Sequence, residues 1–574
     1  MKTINRIAAK TTVLFALVVS LLLGTKTTAS ADEFRGLWVD AFGSGFLTTN
    51  EVTQLVADCH NYNFNAVVVE VRRRGDAFYI PHAPNQDPKT TVTASSFDAL
   101  AEIIKQCHQS SPRIEVHAWT VANLIWSGTT APTQAGHVYN THPEYLNKTS
   151  GGATLFSEGY FLDAGHPDAM QWNYNMAKDL VSHYDIDGFQ WDYIRYPQQD
   201  SGYNAVAIAR YKAEFGVSTT PSFTSTQFST WRRRQVTDFL RWVNADLLEI
   251  KPSLVISASV FASRTDALNS RFQDWGAWNQ EGLLDVFFPM NYSSDNSVFT
   301  TRLNDAFSNK GIRTSYMGVG AYLNTKENTL AQLNLVRSKP LPGTVFYSYR
   351  TPNSGTINQD ATLQYIKDNF QPTWVATPTL PWVANPTNAI VKGTVVNLNG
   401  GAAIYNANVS LTSTRKQFTE PHGKYAFYEV PVGTYSVSAV SGGVTSAPVS
   451  VAVTAGGIFN VNLSINVPAS PDTTAPVITS VTTSSVSSNS ATITWITSEA
   501  ADGLVDYGTS ANYGSTALNG VAVTTHSVTL SNLNQLTSYN YRVTSKDPSG
   551  NTATSANLQF TTPPANSDII IDNP

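Results

Sequence analysis

Asp192 lies in the run GFQWDYI (188–194), where Phe189, Trp191 and Tyr193 alternate with Gln190 and Asp192 before Arg195 and Tyr196-Pro197 break the pattern. Alternation with a period of two marks a strand, and this strand delivers a carboxylate to its C-terminal end. In a parallel α/β barrel that end carries the active site, while the opposite end carries stability. The same filter selects Asp40 after FRGLWVD (34–40) and Glu70, Arg72, Arg74 and Asp76 around the end of NAVVVEV (65–71). It also selects His117, Trp119 and Asn123 around RIEVHAW (113–119), and Asn291 and Tyr292 in DVFFPMNY (285–292).

Carboxylates, Arg, Asn, Tyr and many Trp are the inventory of glycoside hydrolysis. Its oxocarbenium-like transition state needs one ionised carboxylate facing C1 and one protonated acid for the leaving oxygen. Flat sugar faces stack on aromatic rings, and their hydroxyls call for polar donors. Asp192 is the central carboxylate of this reading and Glu70 its partner, although Glu70 reads equally well as a counter-ion of Arg72 or Arg74. Asp40, Arg72, Arg74, His117, Trp119, Asn123, Trp126, Arg195, Asn291 and Tyr292 are the candidate substrate contacts. Of these, Trp126 in the loop after the third strand is the expected stacking platform, and Arg195 the expected ion-pair partner of Asp192. Asp76, Asp163 and Asp187 read as residues that order turns or loops. No His/Cys/carboxylate set has zinc-ligand spacing, and neither a nucleophile elbow nor a phosphate loop is present, so no metal or cofactor is expected. The rival reading is a non-catalytic glycan-binding or adhesion protein on the same scaffold, which the uncertain second acid favours.

The elements that must position these residues repeat as strand and helix. SLVISASV (253–260), TSYMGVG (314–320) and TVFYSY (344–349) complete eight strands, and helices are expected at 50–62, 97–109, 167–184, 227–250 and 328–337. The pattern predicts an α/β fold, a (β/α)8 TIM barrel over residues 32–370. The proline-rich segment 371–387 reads as a stiff linker, followed by two small all-β domains at 388–466 and 472–563 and a tail, 564–574, that could begin a further module. Cys59 and Cys107 fall in the first two helices, and export would permit a disulfide between them.

Residues 1–31 have the basic, apolar and small-residue zones of a secretory signal peptide, with cleavage after Ala31 and no lipid-accepting Cys beyond. Losing Lys2, Arg6, Lys10 and Lys26 with it takes the formal net charge from -5 to -9. A surface of that sign gives no reason to expect nucleic acid as a partner, and no later run is apolar enough to span a membrane. The expected partner is a polysaccharide, with the protein secreted or at the cell surface.

The ordered set FRGLWVD, VRRRGDAFY, EVHAW with Asn123, LDAGHPD and DGFQWDYIRYP resembles the glycosyl hydrolase-like family 10 domain of exported bacterial proteins, across about residues 33–370. The resemblance implies a TIM barrel, glycosidase activity and a cell-wall or related amino-sugar glycan, since at least one member acts on peptidoglycan strands stripped of peptide. Many members read Asp-Asp where this chain has Asp192-Tyr193, and Ala164 replaces their Pro after Asp163. Asp187-Gly188 also resembles the start of the family 18 chitinase motif, but the essential Glu of that motif falls on Ile194, which excludes a chitinase-type acid there. The first β domain is similar to carboxypeptidase-regulatory-like domains and the second to fibronectin type III domains, with Tyr539 implied as its tyrosine corner.

Overall fold

In the computed structural model, residues 32–84, 86–352, 354, 359–466 and 472–565 are described. Residues 1–31, read above as a signal peptide, and most of the C-terminal tail lie outside them. Eight parallel strands alternate with eight principal helices: β1 Phe34–Val39, β2 Ala66–Arg72, β3 Glu115–Val121, β4 Gly188–Asp192, β5 Val255–Phe261, β6 Val286–Asn291, β7 Met317–Gly320 and β8 Gly343–Tyr347. The helices following them are α1 Thr49–Tyr62, α2 Ala99–Gln109, α3 Pro167–His183, α4 Thr226–Ile250, α5 Trp275–Glu281, α6 Asn296–Ser308, α7 Lys326–Arg337 and α8 Gln359–Asn369. Each strand pairs with its sequence neighbours, and β8 pairs with β1, so the sheet closes into the predicted TIM barrel. The helix starts follow local chemistry. Thr48, Asp98 and Ser225 accept N-terminal amides of α1, α2 and α4, and Pro167 opens α3.

Period two sorts the strand residues into an inner and an outer set. Phe34, Trp38, Val68, Trp119, Phe288, Tyr316 and Val345 form the apolar filling of the barrel. Phe189 and Trp191 face the opposite way, into the layer between strands and helices, where the Trp191 indole N–H donates to Asn244 of α4. The large inner rings need gaps opposite them. A Cβ on Gly188 would fall 2.0 Å from the His117 ring, and one on Gly318 would fall 2.9 Å from that of Trp38.

Residues 371–387 do not behave as a free spacer. Glu33 N–H donates to Ala376 O, Asn65 to Val375 O and Arg35 to Thr373 O, which seats the segment across the N-terminal ends of β1 and β2. Leu380 joins the inner core, with Trp382 and Val383 packed against it, because the open bottom of a barrel exposes apolar rings that something must cover.

The first β domain belongs to the same compact unit as the barrel. Its core is formed by Val391, Val395, Phe427, Val437 and Leu463. Lys392 and Lys424 both reach Asp246 on α4, at 2.6 and 3.0 Å, and the Lys424 ammonium lies 3.9 Å from the centroid of the Trp242 ring. The second β domain is a separate unit, built around Trp495, Val505 and Tyr541. Its Tyr539 hydroxyl accepts from Asn534 N–H at 2.9 Å, as a tyrosine corner does. Among the described residues no helix is long and apolar enough to cross a membrane.

Of the two states open to Cys59 and Cys107, a disulfide or two buried free thiols, the structure has the second, in α1 and α2. Burial pushes both thiols upward, Cys107 to about 12, so neither is a ready thiolate. The native protein is therefore expected to resist a thiol-labelling reagent, to expose two reactive thiols on unfolding, and to melt at the same temperature with or without reductant. A reductant-dependent melting temperature would contradict the free-thiol structure.

Candidate active site

The C-terminal ends of the strands enclose a cavity of about 280 Å³. Trp38 from β1, Glu70 from β2, Trp119 from β3, Asp192 from β4, Ser259 from β5 and Tyr347 from β8 all reach it, together with Tyr292 just past β6. The inward parity of each strand brings them there, so residues spread over more than 300 positions meet in one layer. A second cavity of about 170 Å³ lies between the bottom of the barrel and the first β domain. Its acids are already engaged, Asp285 by Ile256 N–H and Glu429 by Arg313.

Two buried carboxylates distinguish the upper cavity. Glu70 is 2 % exposed and Asp192 4 %. Burial raises Glu70 to about 8, with the Ala41 N–H donating to Oε2 at 2.8 Å as a partial offset and the neighbouring Asp40 charge adding to the rise. Burial also raises Asp192, but only to about 6. Both of its oxygens accept hydrogen bonds, Oδ1 from Tyr193 N–H at 2.7 Å and Oδ2 from the Trp119 indole at 2.9 Å, and the Arg195 charge further favours the ionised form. Glu70 therefore holds its proton to higher pH than Asp192 does, the order that an acid paired with an ionised carboxylate requires.

Tyr193 is held in a left-handed conformation, φ 50°, which L side chains avoid at a cost of about 1 kcal/mol. Its carbonyl accepts from Arg195 N–H, and its own N–H is the one bonded to Asp192, so the turn that aims the carboxylate also swings the phenol ring into the cavity. Tyr292 and Tyr347 stack at 5.2 Å between centroids, and Phe42 and Tyr322 are the exposed rings of the lining, at 47 % and 36 %. Arg73 and Arg74 lie beside them with their guanidinium groups 4.9 and 5.0 Å from the Phe42 centroid. Arg73 Nε is buried without a partner, and neither side chain forms an ion pair among the described residues.

Of the sequence candidates, Asp192, Glu70, Trp119, Arg74 and Tyr292 line this cavity and the others do not. Arg72 is fully buried and grips Asp87 and the carbonyls of Val121 and Ala122, clamping the ends of β2 and β3 together. His117 sits lower in the barrel, edge-on to Phe34 and 3.3 Å from Glu115. Asn123 donates to Arg195 O and accepts from Asn173, and Asn291 donates to Phe299 O. Asn291 has the opposite parity to Met290, the β6 residue that does line the cavity. Asp40 is tied to Arg350 at 3.1 Å and acts on Glu70 through its charge alone. Arg195 pairs with Glu158 at 2.6 Å, not with Asp192. Trp126 lies outside this cavity, where its indole N–H donates to Thr130 O and its ring packs edge-on against His137. Asp187, Asp163 and Asp76 do order local backbone, at Val116, at Gly165 with Asn204, and at Arg74.

The sequence reading missed Trp38, Phe42, Arg73, Tyr193, Tyr322 and Tyr347 as lining residues. Trp38 and Tyr347 could have been found by carrying strand parity to the ends of β1 and β8. Phe42 and Tyr322 lie in loops, where no periodic signal points inward.

Residues 33–331 match the family described as Glycosyl hydrolase-like 10, and residues 390–466 match the Carboxypeptidase regulatory-like domain. The chain is 25 % identical over 425 residues to Glycosyl hydrolase YngK of Bacillus subtilis strain 168, an alignment that covers 64 % of this chain and 79 % of that protein. It is also 25 % identical over 223 residues to Glycosyl hydrolase DigH of Escherichia coli K12, covering 34 % of this chain and 46 % of the relative, so this match spans about half of that protein's length. The PgaB (BpsB) glycoside hydrolase domain from Bordetella bronchiseptica superposes with a TM-score of 0.46 at 14 % identity, over 58 % of this chain and 98 % of that one. The family match spans more than half of the chain and contains both cavity carboxylates, and it supports a glycan-hydrolysing function. The chain belongs to the Glycosyl hydrolase-like 10 family.

Proposed function

We propose that the protein is an exported glycoside hydrolase that cleaves an anionic amino-sugar glycan, such as peptidoglycan strands freed of their peptides. The observation that carries the hydrolytic part is the pair of buried carboxylates facing one cavity, with Glu70 raised further, to about 8, than Asp192, raised to about 6. Glu70 donates its proton to the glycosidic oxygen as the bond to the leaving sugar lengthens. Asp192 remains ionised and faces the positive charge that develops at C1, with Trp119 and Tyr193 N–H fixing its oxygens. A water then bonds through oxygen to C1 and gives its proton to the Glu70 carboxylate, which restores the acid and leaves a reducing end. Phe42, Tyr322 and the stacked Tyr292 and Tyr347 offer apolar faces to the sugar rings on either side.

Arg73 and Arg74 support the anionic part. Arg73 Nη1 donates to Ala41 O but its Nε is buried without a partner, and a carboxylate on the substrate would engage either guanidinium bidentately. Muramic acid without its stem peptide bears a free lactyl carboxylate, whereas chitin-type chains bear none. The basic, apolar and small-residue zones of the N-terminal segment support export.

The test is release of reducing ends from purified peptide-free glycan strands. Glu70→Gln and Asp192→Asn should each lower kcat by about 10² to 10⁴, the contribution of a positioned acid or base, while leaving glycan binding intact. For the wild type, kcat/KM should rise through about pH 6 as Asp192 ionises and fall through about pH 8 as Glu70 loses its proton. Binding without turnover by the wild type would favour the adhesion reading instead.

Arg74→Ala should raise KM for carboxylate-bearing strands on the order of tenfold, the value of one charge-assisted contact, and leave KM for neutral amino-sugar chains unchanged. An equal rise on both substrates would remove the argument for an anionic glycan.

A further inference from the structure

Away from the cavity, on the outer wall of the barrel, Asp179 and His183 stand one turn apart on the last turns of α3, and His82 reaches them from the loop between β2 and α2. One ring nitrogen from each histidine and one carboxylate oxygen lie within 4.8 Å of one another. The two imidazoles stack at 4.1 Å between centroids with 11° between their planes. Both are accessible, at 37 % and 44 % for the side chains, whereas the Asp179 side chain is 1 % exposed.

The carboxylate is the unexplained part. Asp179 Oδ2 accepts from the His82 main-chain N–H and from Gln86, both at 3.1 Å, whereas buried Oδ1 has no hydrogen-bond partner and faces His183 Nδ1 at 3.2 Å. That nitrogen's own hydrogen bond is to Asp179 O at 2.9 Å, leaving Nε2 of the ring as its free ligand atom. Among the described residues neither Lys nor Arg pairs with Asp179, and its ion-pair contacts are the two histidines alone, at 3.8 and 3.2 Å. Two imidazolium rings stacked face to face would repel each other, so protonating both is a poor way to neutralise the buried charge. A divalent cation held by neutral imidazoles and Oδ1 neutralises it without that conflict.

We propose that His82, Asp179 and His183 form a transition-metal site, with Zn²⁺ as the best-fitting ion, that staples the β2–α2 loop to α3. Two imidazole nitrogens and one carboxylate oxygen are zinc ligands, whereas Ca²⁺ and Mg²⁺ prefer all-oxygen sets. The accessible fourth side leaves room for water. The ion would be structural, because the loop it fixes also carries Asp87, the partner of Arg72, and begins beside Arg73 and Arg74 at the cavity. Spacing along the chain could not show this set. Asp179 and His183 have a helical i, i+4 relation, but the third ligand lies 97 residues before Asp179.

Tag-free protein stripped with chelator should take up one equivalent of Zn²⁺, and its melting temperature should rise with the logarithm of Zn²⁺ concentration, as ligand linkage requires. Co²⁺ should give visible absorption bands characteristic of nitrogen ligation. His183→Ala and His82→Ala alter accessible side chains and should fold, yet each should weaken Zn²⁺ binding by at least about tenfold and lose the Co²⁺ bands. Wild-type protein that binds no stoichiometric Zn²⁺, or histidine variants that bind it as tightly, would overturn the site.

Discussion

Glu70 and Asp192 are withdrawn from water at the ends of neighbouring parts of a closed sheet, and desolvation is the force that sets both of their proton affinities. What separates them is the number of donors each receives. Asp192 takes two hydrogen bonds, one of them from a turn held at positive φ, and so is raised less, to about 6. Glu70 takes the Ala41 N–H and sits next to the charged Asp40, which pushes it the other way. The barrel can maintain this arrangement because its lower layers are dry and apolar, with Phe34, Val68, Phe288 and Tyr316 beneath the polar layer.

Closing off that dry interior explains the placement of segments that carry no chemistry. Residues 371–387 cover the open bottom with Leu380, Trp382 and Val383. The first β domain then braces α4 and the neighbouring loops through Lys392, Lys424 and Glu429. A proline-rich composition read as a spacer is here a lid for the barrel base. Individually such partly buried ion pairs contribute little, but several acting between the same two bodies fix their orientation.

The barrel was legible from the sequence because its signals are periodic: eight apolar runs and five amphipathic helices fall within a few residues of observed elements, while α5, α6 and α8 were not read. The site was legible where strand parity and chemistry coincide, at Glu70, Trp119 and Asp192. It was misread where a charged or amide group near a strand end turned out to be structural. Arg72, Arg195, Asn123 and Asn291 all satisfy buried backbone or carboxylate groups, a role that depends on neighbours 8 to 101 positions away in sequence. The stacking platform was placed at Trp126 from its position after the third strand, whereas the exposed rings at this cavity are Phe42 and Tyr322, on loops without periodicity.

The proton on Glu70 is the most exposed point of this account. Infrared difference spectroscopy of the protein at neutral pH, with isotope-labelled Glu to separate its carbonyl bands from those of Asp, reads it directly. A protonated carboxylic-acid band should be present, should vanish in Glu70→Gln, and should titrate near pH 8. A wild-type spectrum at pH 7 in which every Glu is ionised would contradict the assignment of Glu70 as the acid.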